Sequence, residues 1–356
     1  MSNANQKTEL LGLLPAQLAD ALAPLKVPAY RVQQIFRWLH QRRVKDFAEM
    51  TDLSKQFRMD LQNQFYINQP KIKQKLASCI DNTVKYLYQM QDGNCVEAVR
   101  MVYHHGVTAC ISTQVGCRMG CKFCASAPLG LVRNLTAAEM LGQIDLMDAE
   151  YPEEERVSGV VLMGIGEPLD NYENVLQFLR LLSCQEGRAM SLRHVTLSTC
   201  GLVPKIDQLA KEGLALTLSV SLHSPNDAAR SALMPVNRKY PLDQLLAACG
   251  DYFRKTGRRV TFEYAVIRGE NDSPEAAKQL AQRLRPVFPG MRPHVNLIPV
   301  NPVQDTGFCA GSAAQFRKYL EQEGVNATVR RTLGEDIQAA CGQLRRNEMQ
   351  DHNSNS

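Results

Sequence analysis

The sequence predicts an α/β protein: a parallel sheet covered by helices, preceded by a small helical domain and a β connector. Three observations carry that prediction. Beyond residue 106, apolar strand-length runs alternate with stretches of helical periodicity. Before residue 75, short apolar periodic stretches are broken at Pro15, Pro24 and Pro28. Between them, KYLYQMQDGNCVEAVRMVY alternates as two strands joined through Asp92-Gly93, a strong hairpin signal.

In chain order, residues 1–75 read as a helical accessory domain. This segment carries twelve Lys and Arg against six Asp and Glu, a net charge of +6, whereas the whole chain is +5. Within it, RVQQIFRWLHQRRVKDF sets Phe36, Trp38 and His40 among basic residues, a pattern that fits a surface that tracks phosphates and stacks bases or a solvated basic helix with its aromatics in a small core. Residues 76–105 form the connector. Strands are predicted near 107–112, 157–163, 193–199, 214–221, 259–267 and 292–298, with helices such as TAAEMLGQIDLMDAE and SPEAAKQLAQRLR between them. Six strand–helix units fit either an open doubly wound sheet or a barrel, and spacing does not separate the two.

The bulk properties exclude several classes. The longest apolar runs, VVLM at 160–163 and LALTLSVSL at 214–222, are strand-length and far short of a membrane span. The opening MSNANQKTEL lacks a secretory pattern, so a reducing cytoplasmic setting is expected. Eleven cysteines, an odd number, argue against a disulfide framework. Clustered thiols in such a setting point to a metal or to catalysis.

Four cysteines fall within CISTQVGCRMGCKFC, from Cys110 to Cys124. Cys117, Cys121 and Cys124 make a CxxxCxxC triplet in the loop after the first barrel-region strand. A structural zinc wants four closed ligands, and Cys110 can in principle supply the fourth. A [4Fe-4S] cluster held by three cysteines leaves one iron open to a small molecule. The setting favours the cluster, because polar residues recur where strands end: Gly166 and Glu167 after VVLMGI, Ser198 after HVTL, Ser221 and His223 after LALTLSV, and Asn296 after PHV. The carboxyl ends of parallel strands converge on one ligand-binding face. Cys79, Cys95, Cys184, Cys200, Cys249 and Cys309 lie in no such pattern and are expected to be structural.

CxxxCxxC followed by a strand ending in GEP resembles the radical S-adenosylmethionine (SAM) enzymes. The stretches DGNCVEAV, CISTQVGCRMGCKFCA, VVLMGIGEPLDNYENVL, LSTCGLVPKI, SLHSPNDAAR, VNLIPVNPV and VRRTLGEDIQAACGQL are similar to the RlmN and Cfr family of RNA adenine methyltransferases, over about residues 30–345. That resemblance implies a partial (β/α)6 radical SAM barrel over 106–345 and an RNA-binding helical appendage, while the polar run at 346–356 is expected to be a flexible tail. It implies a [4Fe-4S] cluster on Cys117, Cys121 and Cys124. It implies SAM held by Gly166, Glu167, Ser198, the Ser221-Leu222-His223 segment and Asn296.

The resemblance also implies a reaction. One SAM methylates Cys341, and a second supplies the radical chemistry that joins the methyl carbon to C2 of an adenine. Glu97 and Cys110 match the positions that receive the C2 proton, without a division between them, and Cys110 closes a disulfide with Cys341 to release the product. The RlmN branch, the better match, implies 23S rRNA near the peptidyl transferase centre and tRNA 3′ of the anticodon as substrates. An electron donor such as flavodoxin or ferredoxin is expected as a partner, and a monomeric state is expected. The Cfr branch instead implies C8 methylation and antibiotic resistance, and a zinc-stabilised RNA-binding module without activity is the alternative from another class.

Overall fold

The computed structural model describes residues 7–290, 292–299 and 307–339. Cys341 and the tail 346–356 lie outside the described residues. The chain opens with β1 (Thr8–Glu9), α1 (Pro15–Leu22), α2 (Ala29–His40), α3 (Lys55–Gln64) and β2 (Phe65–Tyr66), with β1 and β2 paired in parallel. Pro15 occupies the first turn of α1 and Pro28 caps α2, positions where a missing N–H costs nothing. Ser54 Oγ accepts the Phe57 N–H at 3.3 Å and starts α3.

Here the structure decides between the two readings of these aromatics. Phe36, Trp38 and His40 are buried and offer no stacking surface. Hydrophobic periodicity outweighs the neighbouring charges, and the aromatics form the small core of the helical segment. Trp38 Nε1 donates to Asp52 Oδ1 at 2.6 Å, and Arg42 lies over its ring at 3.9 Å. Arg43 likewise turns inward, pairing with Asp148 at 3.1 Å and Asp145 at 3.6 Å, where Arg188 joins them.

Then follow the antiparallel strands β3 (Lys71–Ala77), β4 (Val84–Gln89) and β5 (Cys95–Tyr103) and the first parallel strand, β6 (Gly106–Cys110). Asp92-Gly93 does turn β4 into β5, with Gly93 at φ 84°, but β3 adds a third antiparallel strand to the expected pair. A separate hairpin, β7 (Gln114–Gly116) with β8 (Leu131–Asn134), carries the cysteine loop. The remaining order is α4 (Ala137–Asp148), β9 (Val157–Leu162), α5 (Tyr172–Ser183), β10 (Val195–Thr199), α6 (Val203–Leu209), β11 (Thr217–Ser221), α7 (Asp227–Leu233) and α8 (Leu242–Thr256). It closes with β12 (Val260–Val266), α9 (Pro274–Leu284), β13 (His294–Pro299), α10 (Ala313–Gln322) and β14 (Asn326–Val329). The six expected parallel strands are all present, and β14 extends them by one.

The ten strands form one open sheet in the order β14-β13-β12-β11-β10-β9-β6-β5-β4-β3. Side-chain contacts show that it curls. Arg330, just past β14, reaches Met163 Sδ, just past β9, at 3.4 Å. Five strand spacings would separate those positions by roughly 24 Å in a flat sheet. Gly334 donates to Asp81 Oδ2 at 3.0 Å in the turn between β3 and β4, although four residues from Arg330 span at most roughly 14 Å. The architecture is thus an incomplete barrel whose gap is bridged by residues 330–338.

Register assigns the faces. Lys85 pairs with Val99, Val99 with Cys110, and Cys110 with Val161. From there the row continues through Thr196, with Ser198, Ser219, Ser221, Glu263, Asn296 and Thr328 on the same side. Glu97 lies two residues from Val99 and shares that face. Alternate residues such as Leu197, Leu218, Phe262 and Leu297 are fully buried in the core shared with the helices. The concave face is therefore polar and the convex face apolar.

Candidate active site

Hairpin β7–β8 delivers the cysteine loop to the carboxyl ends of the parallel strands. Cys117 N–H donates to Gly130 O at 2.9 Å and fixes the base of the loop, while Lys122 N–H donates to Leu233 O at 3.0 Å and ties its far side to α7. Cys117, Cys121 and Cys124 line one cavity of about 180 Å³ together with Gly166, Glu167, Ser198, Ser221 and His223. The structure thus brings eight of the sequence-predicted residues together.

The loop after β9 explains GEP. Gly166 sits at φ 111°, and a Cβ there would meet Gln114 Cβ at 2.7 Å, so only glycine lets this loop lie against β7. Gln114 Oε1 then accepts the Glu167 N–H at 2.9 Å. The Glu167 carboxylate accepts N–H groups from Leu169 at 3.0 Å and Cys200 at 2.7 Å, so one buried side chain joins the loops after β9 and β10. Burial pushes its pKa up, against the hydrogen bonds that favour the charged form.

His223 has φ 57°, and its Nδ1 accepts the Ala265 N–H at 2.9 Å. That bond leaves Nε2 as the protonated nitrogen of a neutral ring, and burial lowers the pKa to about 3. Phe123 packs edge-on against the imidazole at 4.6 Å. Leu222 is buried behind the cavity wall and does not line it. Its N–H donates to Glu263 O at 2.9 Å, and its carbonyl accepts from Arg230 Nε at 3.1 Å.

Asn296 departs from its expected position. It is the third residue of β13 rather than a strand-end group, because the strand runs on through Leu297 to Pro299. Its Nδ2 donates to Glu263 Oε1 at 2.8 Å, so it reaches the cavity only through that carboxylate. Glu97 and Cys110 also lie outside the cavity lining, buried on the neighbouring strands β5 and β6 of the same concave face, where Cys110 pairs with Val99 two residues from Glu97. Ser112 Oγ donates to Glu97 O at 2.6 Å and accepts the Ile165 N–H at 2.9 Å, coupling β5 to the loop after β9.

Three contributors were not singled out by sequence. Glu263 lines the cavity, accepts from Ser219 Oγ at 2.6 Å, and has a buried Oε2 with no hydrogen bond, 4.0 Å from Arg330. Arg230 is fully buried and donates to the carbonyls of Leu222, Cys200 and Ser221 and to Asn237 Oδ1, all between 2.7 and 3.1 Å. The signal was present in SLHSPNDAAR, where a lone arginine follows a strand end. Cys200, grouped with the structural thiols, lines the cavity beside the triplet, and Cys79 and Cys309 are exposed rather than packed.

The donor set suits an iron–sulfur centre. Burial pushes the Cys117 thiol up to about 12 and Cys121 well above its ordinary value, with Cys124 and Glu167 adding to both. Crowded buried thiols of this kind are thiolates only against a strongly positive centre. Among the described residues no three His, Cys, Asp or Glu side chains converge closely enough to hold a single ion, whereas a cluster holds its thiolates at separate corners.

Comparison with known proteins agrees with this site. The Radical SAM superfamily model matches residues 111–281, and the Ribosomal RNA large subunit methyltransferase N-terminal domain model matches residues 8–67. A probable dual-specificity RNA methyltransferase RlmN of Thermoanaerobacter sp. (strain X514) is 49% identical over 89% of this chain and 92% of that protein. Its namesake in Alkaliphilus oremlandii (strain OhILAs) is 48% identical over 97% and 99%. The crystal structure of a radical SAM methyltransferase from Sphaerobacter thermophilus superposes with a TM-score of 0.88 at 43% identity, covering 95% of this chain and 99% of that one. This chain belongs to the RlmN family of the radical SAM superfamily, with a [4Fe-4S] cluster and SAM as its cofactors.

Proposed function

We propose that this chain methylates C2 of an adenine in 23S rRNA, in the peptidyl transferase loop, and in tRNA 3′ of the anticodon. One observation carries the reading. Glu97 and Cys110 share a sheet face with Ser198 and Ser221 of the cysteine-lined cavity, so proton acceptance and methyl activation address one space. When bound, the cluster and SAM supply the methyl group and the hydrogen-atom abstraction that activates it. Cys117, Cys121 and Cys124 hold the cluster. Glu167 orients the cofactor's amino group with Gly166 beside it, and Ser198, Ser221 and His223 border the nucleoside, with Leu222 supporting them from behind the wall and Asn296 acting through Glu263.

Cys341 carries the methyl group as a thioether. Once the new carbon–carbon bond exists at C2, Glu97 or Cys110 takes the C2 proton. Cys110 then bonds to the Cys341 sulfur as the carbon–sulfur bond breaks, and a donor such as flavodoxin or ferredoxin returns both to thiols. The target adenine must leave its stack to reach the concave face, which suits RNA loops. Residues 1–75 serve as the RNA-binding appendage through basic side chains such as Arg37 and Lys45, which are exposed, and not through aromatic stacking. Among the described residues no helix is long and apolar enough to cross a membrane. The enzyme works as a cytoplasmic monomer.

The test is mass spectrometry of RNA from cells that rely on this chain alone. Appearance of 2-methyladenosine supports the reading, and 8-methyladenosine would replace it with the Cfr-type reaction. Cys110→Ala should trap protein covalently bound to RNA; free methylated product from that variant removes Cys110 from the release step.

A further inference from the structure

Lys85 is a buried cation on β4 that none of the chemistry above employs. Its side chain is 5% exposed, and its Nζ lies 3.6 Å from Glu97 Oε1, whose side chain is 9% exposed. Desolvating an ammonium on a sheet face is costly, and it persists where it has a charged partner and further hydrogen bonds. Lys85 has both, because Nζ also donates to Gln338 O at 3.4 Å. Gln338 belongs to the segment that leads to Cys341.

That segment is anchored to the same connector. Asp336 accepts from Ser78 Oγ at 2.7 Å and from the Cys79 N–H at 2.8 Å, and Gly334 N–H donates to Asp81. Residues 78–85 therefore hold both the carboxylate and the approach to the methyl-carrying cysteine. A pure anchor needs only the exposed contacts at Ser78, Cys79 and Asp81. A buried ammonium between Glu97 and Gln338 does something else: it stabilises the ionised carboxylate, the form able to accept a proton.

We propose that Lys85 is a positioning residue that keeps Glu97 ionised and holds it near the Gln338 backbone for removal of the C2 proton. This rests on the adenine-C2 reading above. In the step, the C2–H bond breaks and a Glu97 O–H bond forms, its electron pair staying with the base; Lys85 neither gains nor loses a proton.

The experiment compares Lys85→Met, Lys85→Arg, Glu97→Gln and the Met/Gln double variant as reconstituted holoenzymes, on RNA carrying hydrogen or deuterium at C2 of the target adenine. Lys85→Met should keep wild-type methylation of Cys341, read by peptide mass spectrometry. It should lose turnover by on the order of tenfold to hundredfold and show a C2 deuterium isotope effect larger than wild type. Lys85→Arg should restore much of the rate, and the double variant should be no slower than Glu97→Gln. If Lys85→Met folds poorly, the Arg variant and the isotope effect of Glu97→Gln still decide the matter. Full turnover in Lys85→Met, or additive losses in the double variant, overturns the role of Lys85 while Glu97→Gln stays slow. A fully active Glu97→Gln gives the C2 proton to Cys110 and overturns the proposed role of Lys85 too, whereas wild-type enzyme that leaves C2 unmethylated overturns the reading beneath it.

Discussion

Glu167 Oε2 accepts the backbone N–H of Cys200 at 2.7 Å, joining the loop after β9 to the loop after β10 beneath the cysteine triplet. Glu167→Gln can present an amide N–H to this backbone donor, and Leu169 competes for the remaining oxygen. The variant should lose about 1–3 kcal/mol, measured by anaerobic denaturant unfolding, together with a weaker affinity for SAM by equilibrium dialysis.

Arg230 bridges three carbonyls and Asn237 from within the wall of the site. Lysine has the charge but three donors and no planar fork, so Arg230→Lys leaves at least one of these four acceptors unserved. The expected cost is roughly 2–4 kcal/mol, with less iron retained per chain after anaerobic reconstitution. Unchanged melting and iron content would show that the clamp is dispensable.

Replacing Cys117, Cys121 or Cys124 singly by Ala should abolish the brown colour and the iron of the reconstituted protein. Far-ultraviolet circular dichroism should persist, because the curled sheet has its own apolar core on the convex side. A colourless wild-type protein with stoichiometric zinc would contradict the cluster.

His40 is buried against Phe36, its Nε2 has no hydrogen-bond partner, and burial lowers its pKa to about 3. The unfolded chain, with an ordinary imidazole near 6.5, binds more protons than the folded one between those values. This contribution is fully present above the unfolded pKa and is lost as pH falls towards the folded one. His40→Leu should flatten the fall in melting temperature across that window relative to wild type. Parallel curves for the two proteins would place the acid sensitivity elsewhere.

Legibility in the sequence followed the strength of the physical signal. Runs such as VTFEYAV were unambiguous because both faces of β12 are buried. NATV of β14 is four residues, half of them polar, and QVG of β7 is three, so neither makes a strand signal. The cavity was readable because Cys117, Glu167 and His223 have chemically distinctive side chains at strand ends. Asn296 was misplaced by one layer because period-two alternation puts a polar residue on the concave face anywhere along a strand, not only at its tip. Trp38 and Phe36 stayed open between stacking surface and small core because charge in their neighbours obscured an amphipathic helix whose apolar side faces inward. Lys85 left no trace, since a buried cation is defined by partners distant in the chain, Glu97 and Gln338.

The bridge of residues 330–338 has a temporal consequence. Strands are laid into the sheet in the order in which a ribosome delivers them, from β3 at one rim to β14 at the other. The stretch that spans the gap follows β14, so among the described residues nothing laces the two rims together until residues 330–338 have been made. A nascent chain is thus an unbuckled cradle, and Cys110 waits on the strand next to that of Glu97 long before the segment leading to Cys341 has been made.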